Sequence, residues 1–210
     1  MRLPHLLQSL DNGPALAALG RYYGPDPSTP TSPFTGARFD TWDSTGTRWE
    51  DRNRFTADDL VAVTFLSVNV PAEAAIKLLD TDAQRFTDLL EALGDDRDLV
   101  DEGEAWSDDW AGWLLWSELM DLPGVGATTA SKLLARKRPR LRPIYDTVVA
   151  RVVGSETLWE PLRALLNAHP ELHERLLHLR KEAGLHESIS ALRVFDVVTW
   201  MEGKYGADSA

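Results

Sequence analysis

Residues 119–153 read LMDLPGVGATTASKLLARKRPRLRPIYDTVVARVV, and this stretch decides the fold. An apolar helix is expected to end at Pro123, because the proline ring and the missing N–H cannot continue a helix. Gly124 and Gly126 then permit the positive φ and the close backbone approach that a tight turn between two helices requires. A second helix is expected from Ala127, and its first amides would form a phosphate site. An ordinary corner between two helices is the alternative.

Several short motifs follow at fixed spacing along this stretch. They are Leu122-Pro-Gly-Val-Gly126, Thr129-Ala130, prolines at 139 and 143, Asp146-Thr147 and Arg151-Val152. Asp146 stands twenty residues after Gly126. Together these motifs resemble the helix-hairpin-helix and Gly/Pro-rich-loop-Asp (HhH-GPD) superfamily of DNA glycosylases, in its endonuclease III branch. The resemblance implies an all-α fold of about ten helices, with two lobes around a cleft.

The resemblance also implies a chemistry. Asp146 would be the catalytic carboxylate, which stabilises an oxocarbenium-like sugar or activates a water that attacks it. Thr128 stands where bifunctional members carry lysine, and a hydroxyl cannot form a Schiff base. The expected activity is therefore monofunctional release of a flipped, damaged or mismatched base. Lys132, one turn further along, is a substitute candidate for the lysine, and Val148 replaces the usual histidine of the family.

One alternative to catalysis stays open. The residues alone favour Asp146 as an N-cap, since aspartate is a preferred residue at that position, and only the resemblance favours a catalytic role. The chain would then be a non-catalytic helix-hairpin-helix module that binds nucleic acid or a protein partner.

Charge is the main observation against a nucleic-acid partner, because the chain carries a net charge of −11 and DNA affinity comes largely from lysine and arginine. The distribution is uneven, however, since residues 127–151 hold seven basic residues against one acid. Six of them, here called the basic stripe, are expected to grip the DNA backbone unless they form an ordinary solvated face. The basic stripe consists of Lys132, Arg136, Lys137, Arg138, Arg140 and Arg142, and the seventh basic residue of the stretch is Arg151.

Further contacts with duplex DNA are expected at the turn and at one earlier position. Asn69 resembles the residue that family members wedge into the duplex, although a C-cap before Pro71 explains it as well. A monovalent cation, K⁺ or Na⁺, at carbonyls of the turn is implied by the resemblance alone. Besides the basic stripe and Asn69, the predicted DNA-binding residues are Leu122, Gly124, Val125, Gly126, Thr128 and Thr129.

Residues for a base pocket are less well defined. Tryptophans at 106, 110, 113 and 116 follow helical spacing, which favours core packing over a base-stacking surface. Asp196 lies in an apolar run and should be paired, for example with Arg193, or face a cleft. The pocket candidates are Tyr145, Trp106, Trp110 and Asp196. No metal site is predicted, because His169, His173 and His178 lack the usual ligand order.

Composition limits the class of protein. The chain has 210 residues, is 43% hydrophobic and has no apolar run long enough to span a membrane. It contains no cysteine, which excludes disulfides, thiolate metal sites and the iron–sulfur cluster of some family members. Without a recognisable signal peptide, a cytoplasmic monomer is expected.

The domain boundaries follow from the resemblance. One lobe is expected over residues 57–153, with the helix-hairpin-helix at about 107–136 and the proline-rich loop and aspartate at 137–146. The other lobe would combine residues 1–56 with 154–210. Residues 37–50, with aromatic residues alternating around a turn, indicate a small β-hairpin.

Overall fold

A computed structural model describes residues 1–24, 32–102, 107 and 109–206. These residues form eleven α-helices and no strand, so the prediction of an all-α fold of about ten helices is confirmed. The helices are α1 His5–Gln8, α2 Gly13–Tyr23, α3 Ala57–Thr64, α4 Ala72–Ile76, α5 Ala83–Leu93, α6 Ala111–Met120, α7 Ala127–Lys137, α8 Thr147–Val153, α9 Trp159–Ala168, α10 Pro170–Glu182 and α11 Ala191–Tyr205. Short 3-10 turns lie at Thr35–Arg38 and Leu99–Asp101, and a π turn extends α4 over Lys77–Thr81.

The chain divides into two compact units. The internal unit is residues 38–141, and the terminal unit combines 1–37 with 142–210. Both termini share a unit, as in the expected wrapping, but the boundaries differ from those expected at 57 and 153. Residues 38–56 belong to the internal unit because α7 holds them through its cationic side chains. Residues 142–153 belong to the terminal unit because α8 packs against α11.

The internal unit is organised around α7. Helix α3 and helix α6 both pack on it, and α5 packs on α6. The shared core is aliphatic, which is the expected outcome when amphipathic helices bury one face. Its fully buried residues include Leu90, Leu115, Leu119, Leu133 and Leu134.

The terminal unit is organised around α11, whose residues 191–199 are all buried. Helices α2, α8 and α10 pack on it. Gly203 allows α11 to lie close to α8, because a Cβ there would lie 2.8 Å from Val152 Cγ2 and would overlap Val148 Cγ1. A helix that is buried on nearly all sides in this way must be apolar around most of its circumference.

The segment expected as a β-hairpin contains no strand between residues 37 and 50, and that prediction is wrong. Aspartates within and after this segment accept its backbone amides, which stabilises local turns in place of a β-sheet. Asp43 accepts the N–H of Gly46 at 2.9 Å, and Asp58 accepts the N–H and the hydroxyl of Ser44 at 2.6 Å each.

Candidate nucleic-acid interface

The turn between α6 and α7 is a tight hairpin. Leu122 and Val125 are buried, and the N–H of Val125 donates to the carbonyl of Leu122 at 3.1 Å. Gly124 adopts a φ of +71°, which a side-chain-bearing residue rarely adopts. A Cβ on Gly124 would also lie 2.9 Å from Pro71 Cγ. Two features therefore require glycine at position 124: its positive φ and the closeness of Pro71.

Helix α7 starts directly from this hairpin. Gly126 is its N-cap, and the N–H of Ala130 makes the first helical bond to the carbonyl of Gly126 at 2.9 Å. The amides of residues 127–129 come before that bond and have no acceptor within the helix. Gly124 and Gly126 are exposed, Thr128 is half-buried and Thr129 is buried. This start of an eleven-residue helix is suited to an anionic ligand.

The turn that carries Asn69 lies against the hairpin. Helix α3 ends at Thr64 with Phe65 as its C-cap, so the interpretation of Asn69 as a C-cap is wrong. The chain then reverses at Ser67, a non-glycine residue with a φ of +61°. Asn69 is exposed, two residues before the proline that contacts Gly124.

The basic stripe is not the exposed face that the sequence indicated. Arg140 alone of the six is exposed, and it pairs with Asp98. The relative exposures of the other five are 3% for Lys132, 2% for Arg136, 5% for Lys137, 1% for Arg138 and 1% for Arg142. A side chain that is buried in this way cannot lie on a DNA phosphate unless the protein rearranges.

Asp59 is the centre of a buried ionic cluster at the C-terminal end of α7. Its carboxylate accepts from Arg136 Nε at 3.1 Å and pairs with Lys137 Nζ. It also accepts the N–H of Thr56 at 2.9 Å, which completes the capping box of α3. Burial lowers the pKa of Lys137, and the charge of Asp59 opposes that shift. The capping box joins residues three positions apart, whereas its link to α7 joins residues that are distant in sequence.

Arg136, Lys137 and the next residue, Arg138, bind residues 38–54 to the C-terminal end of α7. Arg136 Nη1 donates to the carbonyl of Phe39 at 2.7 Å, and Lys137 Nζ donates to the carbonyl of Asp51 at 3.1 Å. Arg138 Nη1 reaches the carbonyl of Arg52 at 2.9 Å. Buried backbone carbonyls of loops need hydrogen-bond donors. Here the cations supply the donors that neighbouring backbone amides would supply in a sheet or a helix.

Arg138 and Arg140 continue the cluster toward residues 90–98. Arg138 Nε donates to the carbonyl of Gly94 at 2.7 Å, and burial lowers its pKa. Arg140 Nε donates to Asp98 at 3.0 Å, a bond that raises the pKa of Arg140. Asp96 accepts the N–H of Arg140 at 3.1 Å, while burial raises the pKa of its carboxyl to about 6.

Asp146 is the N-cap of α8. Its Oδ1 accepts the N–H of Val148 at 2.8 Å, and the residue is half-buried in the terminal unit. The capping interpretation is therefore part of the structure. The catalytic interpretation stays a prediction, because a carboxylate can cap a helix and act on a ligand with the same group.

Trp110, the predicted base-pocket residue at the start of α6, is not part of the buried face of that helix. Trp106 falls outside the described residues. Trp110 and Tyr145 are half-buried, and the buried face of α6 consists of smaller residues, including Leu115 and Leu119. The core-packing interpretation of these tryptophans is therefore only partly right. Trp110 and Trp113 meet edge to face, with ring centroids 6.4 Å apart.

Asp196 takes the paired form expected for a buried carboxylate. It bonds Arg193 on the preceding turn of α11, and both side chains are almost fully buried. Arg193 Nη2 also donates to Tyr22 Oη at 2.8 Å and to the carbonyl of Gly36 at 2.9 Å. This network ties α2 to α11 inside the terminal unit.

The histidines at 169 and 178 each lie beside a glutamate, whereas His173 is buried. Within the described residues, no cluster of three or more His, Asp or Glu side chains is arranged to hold a metal ion. A cation at the hairpin would use carbonyls instead. Leu122 O already accepts one N–H and has a second lone pair.

Among the described helices, none is long and apolar enough to cross a membrane.

Comparisons with known proteins place the chain in one family. A family model described as "Family of unknown function (DUF6308)" matches residues 15–203, nearly the whole sequence. The chain therefore belongs to this family. No curated protein and no solved structure matches it.

Proposed function

We propose that this member of the DUF6308 family binds duplex DNA through the hairpin at residues 121–126 and releases a flipped base by monofunctional N-glycosidic cleavage. The observation that carries the proposal is the hairpin itself. Two exposed glycines precede α7, and the first amides of that helix have no helical acceptor. Backbone amides and the positive end of the helix dipole favour a phosphate there without any lysine or arginine. A strongly acidic protein needs an attraction of this kind to hold DNA.

The proposed chemistry depends on Asp146. A flipped nucleotide presents its glycosidic bond outside the base stack. The carboxylate would stabilise the positive sugar as the base departs, or activate the water that replaces the base. The bond from Val148 N–H to Oδ1 fixes the direction of that carboxylate. Thr128 supplies no amine, so the product would be an abasic site without strand cleavage.

A lesion-panel assay tests this proposal. Duplexes with alkylated, deaminated, oxidised or mismatched bases are incubated with the protein, and alkali then cleaves any abasic site. Asp146→Asn and Asp146→Ser are the decisive variants, since both keep an oxygen that can cap α8. We expect base release from the wild type and none from either variant, with unchanged folding. Full activity in either variant would remove Asp146 from the mechanism.

A second function is favoured by one observation. The Asp146 carboxylate already has a structural task as the cap of α8, which is sufficient reason for its presence. The protein would then be a non-catalytic module that binds nucleic acid or protein through the hairpin. In that case no duplex in the panel loses a base, while binding is unchanged by Asp146→Asn.

The salt dependence of binding shows whether DNA is held by the hairpin amides or by the side chains of the basic stripe. Six phosphate contacts would give a slope of about −5 in a plot of log affinity against log salt, at about −0.9 per phosphate. Because five of the six cations are buried, we expect a slope of about −1 to −3. An apolar protein interface would show almost no slope. A slope near −5 would mean that the stripe becomes exposed on binding.

A further inference from the structure

Lys132 has a position that neither proposed function explains. It lies on the second turn of α7 and is only 3% exposed. Its Nζ donates to the carbonyl of Leu66 at 2.8 Å, across 66 residues of sequence. The side chain therefore reaches the turn that follows α3.

That turn has little regular structure of its own to hold it. The amides of Phe65, Leu66 and Ser67 each bond the carbonyl three residues earlier, as in the fraying end of a helix. Ser67 then takes a left-handed backbone conformation, which is unfavourable for a residue other than glycine. A turn of this kind requires contacts from outside to fix it.

Two contacts on either side of Asn69 supply that restraint. Lys132 holds the carbonyl of Leu66 on the N-terminal side. Pro71 lies against Gly124 of the hairpin on the C-terminal side, where any Cβ would come within 2.9 Å. Both contacts belong to the internal unit. Asn69 is thus exposed on a turn that is fastened at both ends to the hairpin and its helix.

We infer that Lys132 is a positioning residue, which fixes the 65–71 turn against the hairpin so that Asn69 and the hairpin amides present a single surface to DNA. The part of this inference that concerns DNA rests on the proposed function. A positioning role also argues against Lys132 as a nucleophile or a phosphate ligand, because the side chain is only 3% exposed and its ammonium group donates to a backbone carbonyl. The bond from a charged donor is among the stronger hydrogen bonds in proteins.

The first test needs no DNA. Hydrogen exchange is compared for the wild type, Lys132→Met and Lys132→Arg, using the full chain. Methionine keeps the length of the side chain without a donor, whereas arginine keeps a charged donor. We expect exchange of the amides in 65–70 to rise on the order of tenfold in Lys132→Met, with recovery in Lys132→Arg. Amides of α9 and α10 serve as the internal control and should not change. Unaltered exchange in 65–70 would overturn the positioning role.

The second test uses a duplex with one abasic site, followed by fluorescence anisotropy at several salt concentrations. We expect Lys132→Met to weaken binding about three- to tenfold with an unchanged salt slope. A phosphate ligand would instead lower the slope by about 0.9. Asn69→Ala should weaken the wild type but have a smaller effect in Lys132→Met, because the two residues act through one turn. Fully independent effects would overturn the inferred link to Asn69.

The two tests separate the inference from the function on which it rests. Failure of the wild type to bind any duplex would refute the proposed function and the shared DNA surface together. The exchange data would still decide whether Lys132 positions the turn. A global unfolding curve for each variant shows whether faster exchange is local to residues 65–70 or reflects loss of the whole unit.

Discussion

Replacing Asp59 by asparagine is expected to destabilise the internal unit severely. The carboxylate is 2% exposed and accepts from four donors. Two of these donors are the buried cations of Arg136 and Lys137. Asparagine keeps one oxygen, and its amide group would point N–H bonds at groups that are themselves donors. Breaking a buried ion pair by removing one partner costs about 3–5 kcal/mol.

The size of that loss makes the measurement direct. Urea unfolding, followed by tryptophan fluorescence, should show a midpoint lower by about 1–2 M for an m-value of about 2–3 kcal/mol per M. Glu91→Gln is the matched control, since it removes one negative charge from an exposed position on α5, and should change stability by less than about 0.5 kcal/mol. A loss below about 1 kcal/mol in Asp59→Asn would refute the view that this cluster holds residues 38–56 in place.

The pH dependence of the same variant provides a second check. In the folded state, burial lowers the pKa of Lys137 below 10.5, and the charge of Asp59 opposes part of that shift. The folded protein therefore gives up this proton before the unfolded chain does, and stability rises with pH between the two pKa values. Without Asp59, the pKa of Lys137 falls further and the rise begins at lower pH. Asp59→Asn should thus recover part of its loss between neutral and alkaline pH, relative to the wild type.

Other substitutions test the packing and the charges elsewhere. Gly203→Ala should destabilise the protein by about 1–3 kcal/mol, because the new methyl group meets two stiff valine side chains. Gly20→Ala, in the middle of α2 with open space around it, should instead stabilise it by about 0.5–1 kcal/mol, and thermal unfolding compares the two. Asp96→Asn should raise stability at pH 7 by up to about 3 kcal/mol, since a folded pKa of about 6 means that burial opposes the ionised form. The gain should shrink as pH falls from 7 to 5, where the folded wild type takes up the proton. The exposed neighbour Asp95→Asn is the control, and an equal gain there would exclude burial as the cause.

Local features of the fold could be predicted from the sequence because they depend on neighbouring residues. Pro123 and Gly124 favour a tight turn by what their backbones permit, and the structure has a turn between α6 and α7 at that place. The same expectation for Gly126 is wrong, because its φ is −104° and a Cβ there would meet no atom within 4 Å. The capping box at Thr56 and the cap at Asp146 likewise follow from side chains that reach amides two or three residues away. Helix content is set by the 3.6-residue period of apolar positions.

The tertiary structure decided which charged groups meet water. A run of lysine and arginine along α7 has the same pattern whether it is solvated or buried, because burial depends on carbonyls and carboxylates that are distant in sequence. Arg136 finds its partners at Phe39 and Asp59, 97 and 77 residues away. These long-range bonds moved residues 38–56 into the internal unit and removed most of the basic stripe from the surface. The sequence determined where the chain turns; only the packing of distant segments determined which of its charges are available to a partner.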